Sequence, residues 1–201
     1  MTKLSIQSLF GYIPNQLKAF LNQNHLFLNV EISTSRLFLR PISMRYKSEI
    51  YREFTDEITT YMYPRPPKNI SEAESFVKDS IIGMKSESHL IVVILKKNSQ
   101  EFLGCAGIHK ISSNYPELGI WLKKSAHGNG YGFETIKALK TWAEENLHYK
   151  NLVYPVDKEN IPSRRIPEKL GGIIVREYKK TNLSGKVLQL VEYEIPNPAR
   201  E

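Results

Sequence analysis

The chain has 201 residues, enough for one domain of ordinary size and short for two. With 41% hydrophobic and 24% charged residues it can bury a core, which excludes wholesale disorder. Lys and Arg outnumber Asp and Glu by 28 to 21, and the net +7 suits an anionic partner without choosing among a phosphorylated cofactor, an acidic protein and a nucleic acid. One cysteine, Cys105, excludes an internal disulfide and a thiolate zinc site. His25, His89, His109, His127 and His148 show no metal-ligand spacing, so no metal is expected. The longest aliphatic run, Leu90 to Leu95, falls far short of the roughly 20 residues of a membrane span. Gly11 and Pro14 interrupt the N-terminus before a signal-peptide core develops, so a reducing, cytoplasmic setting is expected.

Residues 1–33 read as an N-terminal extension packed on the domain, with a short helix over 14–21 carrying Leu17, Phe20 and Leu21 on one face. Residues 34–201 read as the domain itself. The segment 36–41 is a strand stopped by Pro41, and Ile50, Tyr51 and Phe54 fall at helical spacing within 44–54. Three prolines make 61–67 a loop. Ser71 and Glu74 form a capping-box pattern that opens a helix with Phe76, Val77, Ser80 and Ile81 turned inward. Two apolar runs, 89–96 and 102–111, make a hairpin. A further strand spans 117–122, an amphipathic helix 133–147, and a short strand 152–156. Two last strands, 173–178 and 187–195, flank a turn at 182–185. The expected fold is α+β: one domain with a mixed, mostly antiparallel sheet of about seven strands and helices on both faces.

The stretch that carries chemistry begins on the strand 117–122 and passes through His127, Gly128, Asn129, Gly130, Tyr131, Gly132 and Phe133 into a long helix. Glycines let the backbone approach a ligand closely, and a helix start offers unpaired N–H groups and a partial positive charge. Together they suit a pyrophosphate. No Gly-Lys-Ser/Thr follows, so this is not a Walker loop.

Here the sequence resembles the GNAT acyl-CoA N-acyltransferases. Their cofactor loop, Arg/Gln-x-x-Gly-x-Gly/Ala, is matched by His127, Gly130 and Gly132, with His in place of Arg or Gln. Asn160 and Ser163 match the family's Asn-x-x-Ser block, and Lys169-Leu170-Gly171 its ending. Residues 34–41 and 117–122 resemble the opening and fourth strands of the ribosomal-protein N-terminal acetyltransferase branch. The resemblance implies that acetyl-CoA lies in an opening between the family's fourth and fifth strands and is attacked directly by an amine. It places backbone groups of Ile120 and Leu122 beside the acyl and pantetheine amides, residues 127–133 at the pyrophosphate, and Asn160 on the pantetheine arm.

Within that frame, Glu117 is the expected base for the acceptor ammonium. Ser163 is the expected acid for the leaving thiolate, with Tyr154 as second candidate, and Cys105 is expected in the core. Pro167 leaves the helix that carries Ser163 either very short or kinked. The acceptor stays open between a protein N-terminus and a small molecule, and the chain could be a monomer or a homodimer. A different class is a non-catalytic acyl-CoA sensor or an RNA- or ribosome-associated module. Nucleic acid is not favoured, because Lys123-Lys124, Arg164-Arg165 and Lys179-Lys180 are isolated pairs rather than a stripe.

Overall fold

In the computed structural model, which describes residues 26–198, the chain enters through a 3-10 turn, Leu26–Asn29, that buries Phe27. Two residues, Ile32–Ser33, then add strand β1 to β2, Leu37–Pro41. Helices α1, Lys47–Glu53, α2, Asp56–Thr59, and α3, Ile70–Lys85, follow. The aliphatic hairpin is β3, His89–Lys96, and β4, Phe102–His109; β5 is Glu117–Leu122. Helix α4, Tyr131–Asn146, crosses to β6, Asn151–Asp157; α5, Ile161–Lys169, precedes β7, Ile173–Thr181, and β8, Val187–Pro196.

These strands form one sheet in the order β1-β2-β3-β4-β5-β6-β8-β7, antiparallel except between β5 and β6. The sheet exceeds the seven expected strands by the two-residue β1. Helix α4 packs on one face and buries Ile136, Leu139 and Ala143, as their spacing requires. The helices α1 and α3 lie on the other face, where Phe54 meets Trp121 of β5 at 4.8 Å between ring centroids. Among the described residues no helix is long and apolar enough to cross a membrane. The helix expected over 14–21 lies outside the described residues.

Two local expectations need correction, and the structure decides a third, at Pro167, in favour of a short helix. Helix α3 is capped by Asn69, whose side chain accepts the Glu72 amide, and not by Ser71. Asn69 is extended (φ −154°, ψ 170°) and the helix is already formed at Ile70, so Ser71 sits inside it. Glu74 is thereby released to bind Lys47 and Lys78 at 2.9 and 2.8 Å, which holds its carboxyl down at about 2. Phe76 does not turn inward; it is 42% exposed at the rim of the cleft described below. Pro167 sits in the last turn of α5, where the helix stops at Lys169, and its carbonyl accepts the Leu170 and Gly172 amides. The missing proline N–H therefore costs one bond at a helix end.

Two bulges aim the strands. Leu103 is an extra residue of β4 against β3, and Val175 an extra residue of β7 against β8. Beyond Val175, alternate residues Arg176, Tyr178 and Lys180 share the face that lines the cleft. At the first bulge Gly104 has φ +152°, and a Cβ there would stand 2.1 Å from the Trp121 carbonyl oxygen. Gly104→Ala is therefore expected to lose about 3 kcal/mol in urea unfolding, from strain plus overpacking. An effect below about 0.5 kcal/mol would mean that β4 and β5 do not approach so closely.

Candidate active site

The strands β5 and β6 share a single register position, Glu117 with Val153, where the Val153 amide donates to the Pro116 carbonyl at 2.8 Å. Each is fully paired on its other side, β5 with β4 and β6 with β8, so the two diverge toward Leu122 and Asp157. Backbone groups alternate between neighbours along a strand. The Lys123 amide reaches Leu103 of β4, which sets the odd-numbered residues toward β4 and turns Ile120 and Leu122 into the gap. The resulting cleft of about 780 Å³ is lined by Ile120, Glu117, Tyr154, Asn160 and Ser163, so the structure brings these expected residues together.

Beyond Leu122 a 3-10 turn, Lys124–Ala126, leads to Gly128 and Gly130, both at φ +76°, a region that L side chains avoid. Gly130 is the N-cap of α4 and carries no side chain to cap it; the first helical bond is from Glu134 N–H to the Gly130 carbonyl at 3.2 Å. The amides of Tyr131, Gly132 and Phe133 are thus left without helical acceptors at the positive end of a 16-residue helix, an arrangement that binds anions. Next to them, His127 donates from Nε2 to the Leu122 carbonyl at 2.9 Å, which ties its ring to the strand end and takes up one of that carbonyl's two acceptor positions. Asn129 folds back on the Ala126 and His127 carbonyls.

A brace that the sequence did not announce holds this loop. Glu134, in the first turn of α4, accepts hydrogen bonds from Thr34, Ser35 and the Arg36 amide and pairs with the Arg36 guanidinium at 2.6 Å. Arg36 also donates to the Asn129 carbonyl at 2.9 Å and lies over the Tyr131 ring. Burial works against the Glu134 carboxylate, but the bonds from Thr34, Arg36 and Ser35 outweigh it and lower its pKa.

The floor of the cleft is the β4–β5 face that carries Gly107, His109, Glu117, Gly119 and Trp121. His109 and Glu117 are cross-strand partners. The His109 ring leans over the two glycines: its Nε2 lies 3.4 and 3.6 Å from where Cβ atoms of Gly107 and Gly119 would be. Burial lowers the His109 pKa below its ordinary 6.5; Glu117 opposes this, while His89 and Lys110 add to it. Glu117 accepts from Lys110 at 2.7 Å. Sequence reading missed His109, although its place opposite Glu117 follows once the hairpin register is known.

On the far side Tyr154 of β6 is 3% exposed and its hydroxyl is 2.9 Å from Ser163 Oγ. Burial pushes the phenol up to about 12, with the Ser163 bond opposing, so it holds its proton at neutral pH. Asn160 caps α5 by accepting the Ser163 amide at 3.3 Å, which leaves its Nδ2 donor without a protein partner among the described residues. Cys105 is buried at the floor, 2% exposed, and burial pushes its thiol well above the ordinary range. Among the described residues no group of His, Cys, Asp and Glu is placed to hold a metal ion.

Residues 36–173 match the family described as acetyltransferase (GNAT) domain. Among solved structures, the chain is similar to the Salmonella typhimurium acetyltransferase that modifies the N-terminal serine of ribosomal protein L7/L12: TM-score 0.73, 16% identity, covering 83% of this chain and 99% of that one. It is also similar to microcin C7 self immunity acetyltransferase MccE, whose structure contains acetyl-CoA and AMP: TM-score 0.73, 20% identity, 81% and 93% covered. A GCN5-related N-acetyltransferase from Brucella melitensis gives TM-score 0.70 at 17% identity, with 84% and 79% covered. At these identities the likeness shows the fold.

The Arg36–Glu134 brace predicts a pH-dependent stability. A carboxylate with a lowered folded pKa adds stability that is present above its ordinary value of 4.5 and is lost as pH falls through the folded pKa. Glu134→Gln should cost about 1 kcal/mol at pH 7, discounted for an Arg36 side chain that is 49% exposed. In chemical denaturation the gap between the two proteins should close at pH values below that of the folded carboxyl. A gap that stays constant into acid would show that the charge contributes nothing.

Proposed function

The chain belongs to the GNAT acetyltransferase family, and on that premise we propose that it moves an acetyl group from acetyl-CoA to a primary amine by direct attack, with the roles below. The observation that carries this reading is the gap between β5 and β6 opening beside a helix whose N-cap is glycine. Unpaired strand amides next to a bare helix N-terminus fit a thioester arm that ends in a pyrophosphate. Gly128, Asn129, Gly130, Tyr131, Gly132 and Phe133 would hold the pyrophosphate through their amides, with His127 pinning the loop to β5. The Ile120 C=O, the Leu122 N–H and the Asn160 side chain would hold the pantetheine arm, with the Ile120 N–H left for the acyl oxygen. Acetyl-CoA bound there supplies an activated acyl carbon and a thiolate leaving group.

An acceptor amine arrives mostly protonated at neutral pH, so the chain must take its proton. Glu117 and His109 share that task. His109, kept neutral by burial and leaning over Gly119, accepts the proton directly or through a water; Glu117 across the strands stabilises the imidazolium. Glu117 thus acts as part of a pair rather than as a lone base. The strand amide of Ile120 stabilises the developing oxyanion. Tyr154, protonated and bonded to Ser163, returns a proton to the thiolate, and a proton from solvent relayed through the Ser163 hydroxyl restores the phenol. Support for a route without an acyl-enzyme comes from Cys105, whose buried thiol is a poor source of thiolate.

Thiol release from acetyl-CoA in the presence of an amine panel tests the reading directly; no release with any amine would overturn it. Glu117→Gln should lower turnover by about 10² to 10⁴-fold with little change in acetyl-CoA affinity. Because Glu117 raises the His109 pKa, its removal should also move the acid limb of the rate profile to lower pH. Wild-type turnover and an unmoved limb would remove the pair from the mechanism.

Gly130→Val addresses the glycine loop beside the gap. A β-branched residue at φ +76° strains the loop and crowds the approach of a phosphate. Calorimetry should find CoA binding lost while circular dichroism shows the fold retained. Unchanged CoA affinity would misplace the pyrophosphate site.

A further inference from the structure

The acceptor end of the cleft has its charges arranged in an informative way. Three carboxylates line it, and each is already held by a cation. Arg65 donates from both terminal nitrogens to Glu72 at 2.8 and 3.2 Å. Lys110 pairs with Glu117 and Arg176 with Glu192, both at 2.7 Å. A fourth lining cation, Lys180, makes no ion pair among the described residues; its Nζ stands 3.7 Å from the centre of the Tyr63 ring. No lining carboxylate is left over to meet a second ammonium group. What remains between the charges is aromatic and apolar: Phe54, Phe76, Trp121, Tyr61, Tyr63 and Tyr178.

The wall on this side is built from two distant segments bonded to each other. The β7–β8 turn is organised by Asn182, whose Oδ1 accepts the Ser184 and Lys186 amides. Asn182 Nδ2 donates to the Met62 carbonyl at 3.2 Å, the Leu183 amide to the Tyr63 carbonyl at 3.0 Å, and Lys186 to the Thr60 carbonyl at 3.1 Å. Lys186 also lies over the Tyr61 ring.

We propose that the acceptor is a primary amine with a single positive charge on an aromatic or large apolar body, and that polyamines and aminosugars are rejected. This rests on the reading of the cleft as an acetyl-transfer site. A second ammonium would enter a lining with four cations and three already neutralised carboxylates, and would lose hydration without gaining a counter-charge. An aromatic body, by contrast, exchanges water for ring contacts. The same chemistry is presented by a free arylalkylamine and by the N-terminus of a chain that begins with an apolar or aromatic residue.

The test uses the full chain, acetyl-CoA and four probes: tyramine, a tripeptide with N-terminal Tyr and no Lys, spermidine and kanamycin. Acetyl-CoA binding is followed separately by calorimetry. Either tyramine or the tripeptide should exceed both polycations in kcat/KM by at least about tenfold, and the better of the two identifies the source of the amine. Spermidine or kanamycin as the best acceptor would overturn the proposal while leaving acetyl transfer in place. So would a protein that binds acetyl-CoA and acetylates neither singly charged probe. Loss of acetyl-CoA binding itself would instead sink the reading on which the proposal rests. Arg65→Met, which releases Glu72, should raise the spermidine-to-tyramine ratio of kcat/KM by about fivefold or more. An unchanged ratio in the folded variant would show that neutralised carboxylates do not set the discrimination.

Discussion

Each of β5 and β6 is committed elsewhere: β5 runs in full antiparallel register with β4, and β6 with β8, so the two parallel neighbours meet only at Glu117 and Val153. A sheet so divided consists of two well-paired halves hinged at one position. The twist natural to each half then drives the free ends apart. Unpaired strand amides inside a protein are costly unless something fills the gap, which is why such a division favours a ligand able to lie along the strand. The helix between β5 and β6 begins at the open end, so the gap and the helix N-terminus come together for one topological reason.

The glycine loop at the start of α4 is held from outside. Thr34, Ser35 and Arg36 reach across to Glu134 and Asn129, joining the first residues of β2's approach to the first turn of α4. A glycine-rich loop is entropically expensive to order, and this brace offsets that cost before any ligand arrives. The part of the cleft away from that loop is assembled differently, from the loop at 61–67, the floor of β4 and β5, and the last hairpin. Its three carboxylates are each paired with a cation, and Lys180 lies over the Tyr63 ring, so this part presents little uncompensated charge.

Strand and helix periods were legible because burial imposes them locally. Leu118 and the run Leu90 to Leu95 are buried as their patterns require, and Ile136, Leu139 and Ala143 form one face of α4. The glycine loop was legible too, since positive φ at Gly128 and Gly130 demands that residue type. Helix caps were harder. Asn69 and Ser71 are both good caps, and the choice depended on where Arg65 and Lys68 needed Glu72. Phe76 misled for a similar reason: an apolar residue at a helix face can line a cleft rim instead of a core.

The sequence by itself determined the fold class, the order of elements and the place of the glycine loop before α4, because each follows from spacing within about 15 residues. Tertiary structure alone decided which side chains face each other across the cleft. His109 beside Glu117 and Arg176 beside Glu192 are set by strand register, while Tyr154 with Ser163 and Asn182 with the Met62 carbonyl are set by the packing of elements distant in sequence. A one-residue slip in register reverses every facing residue, and no local signal in the chain records which register the assembled sheet adopts.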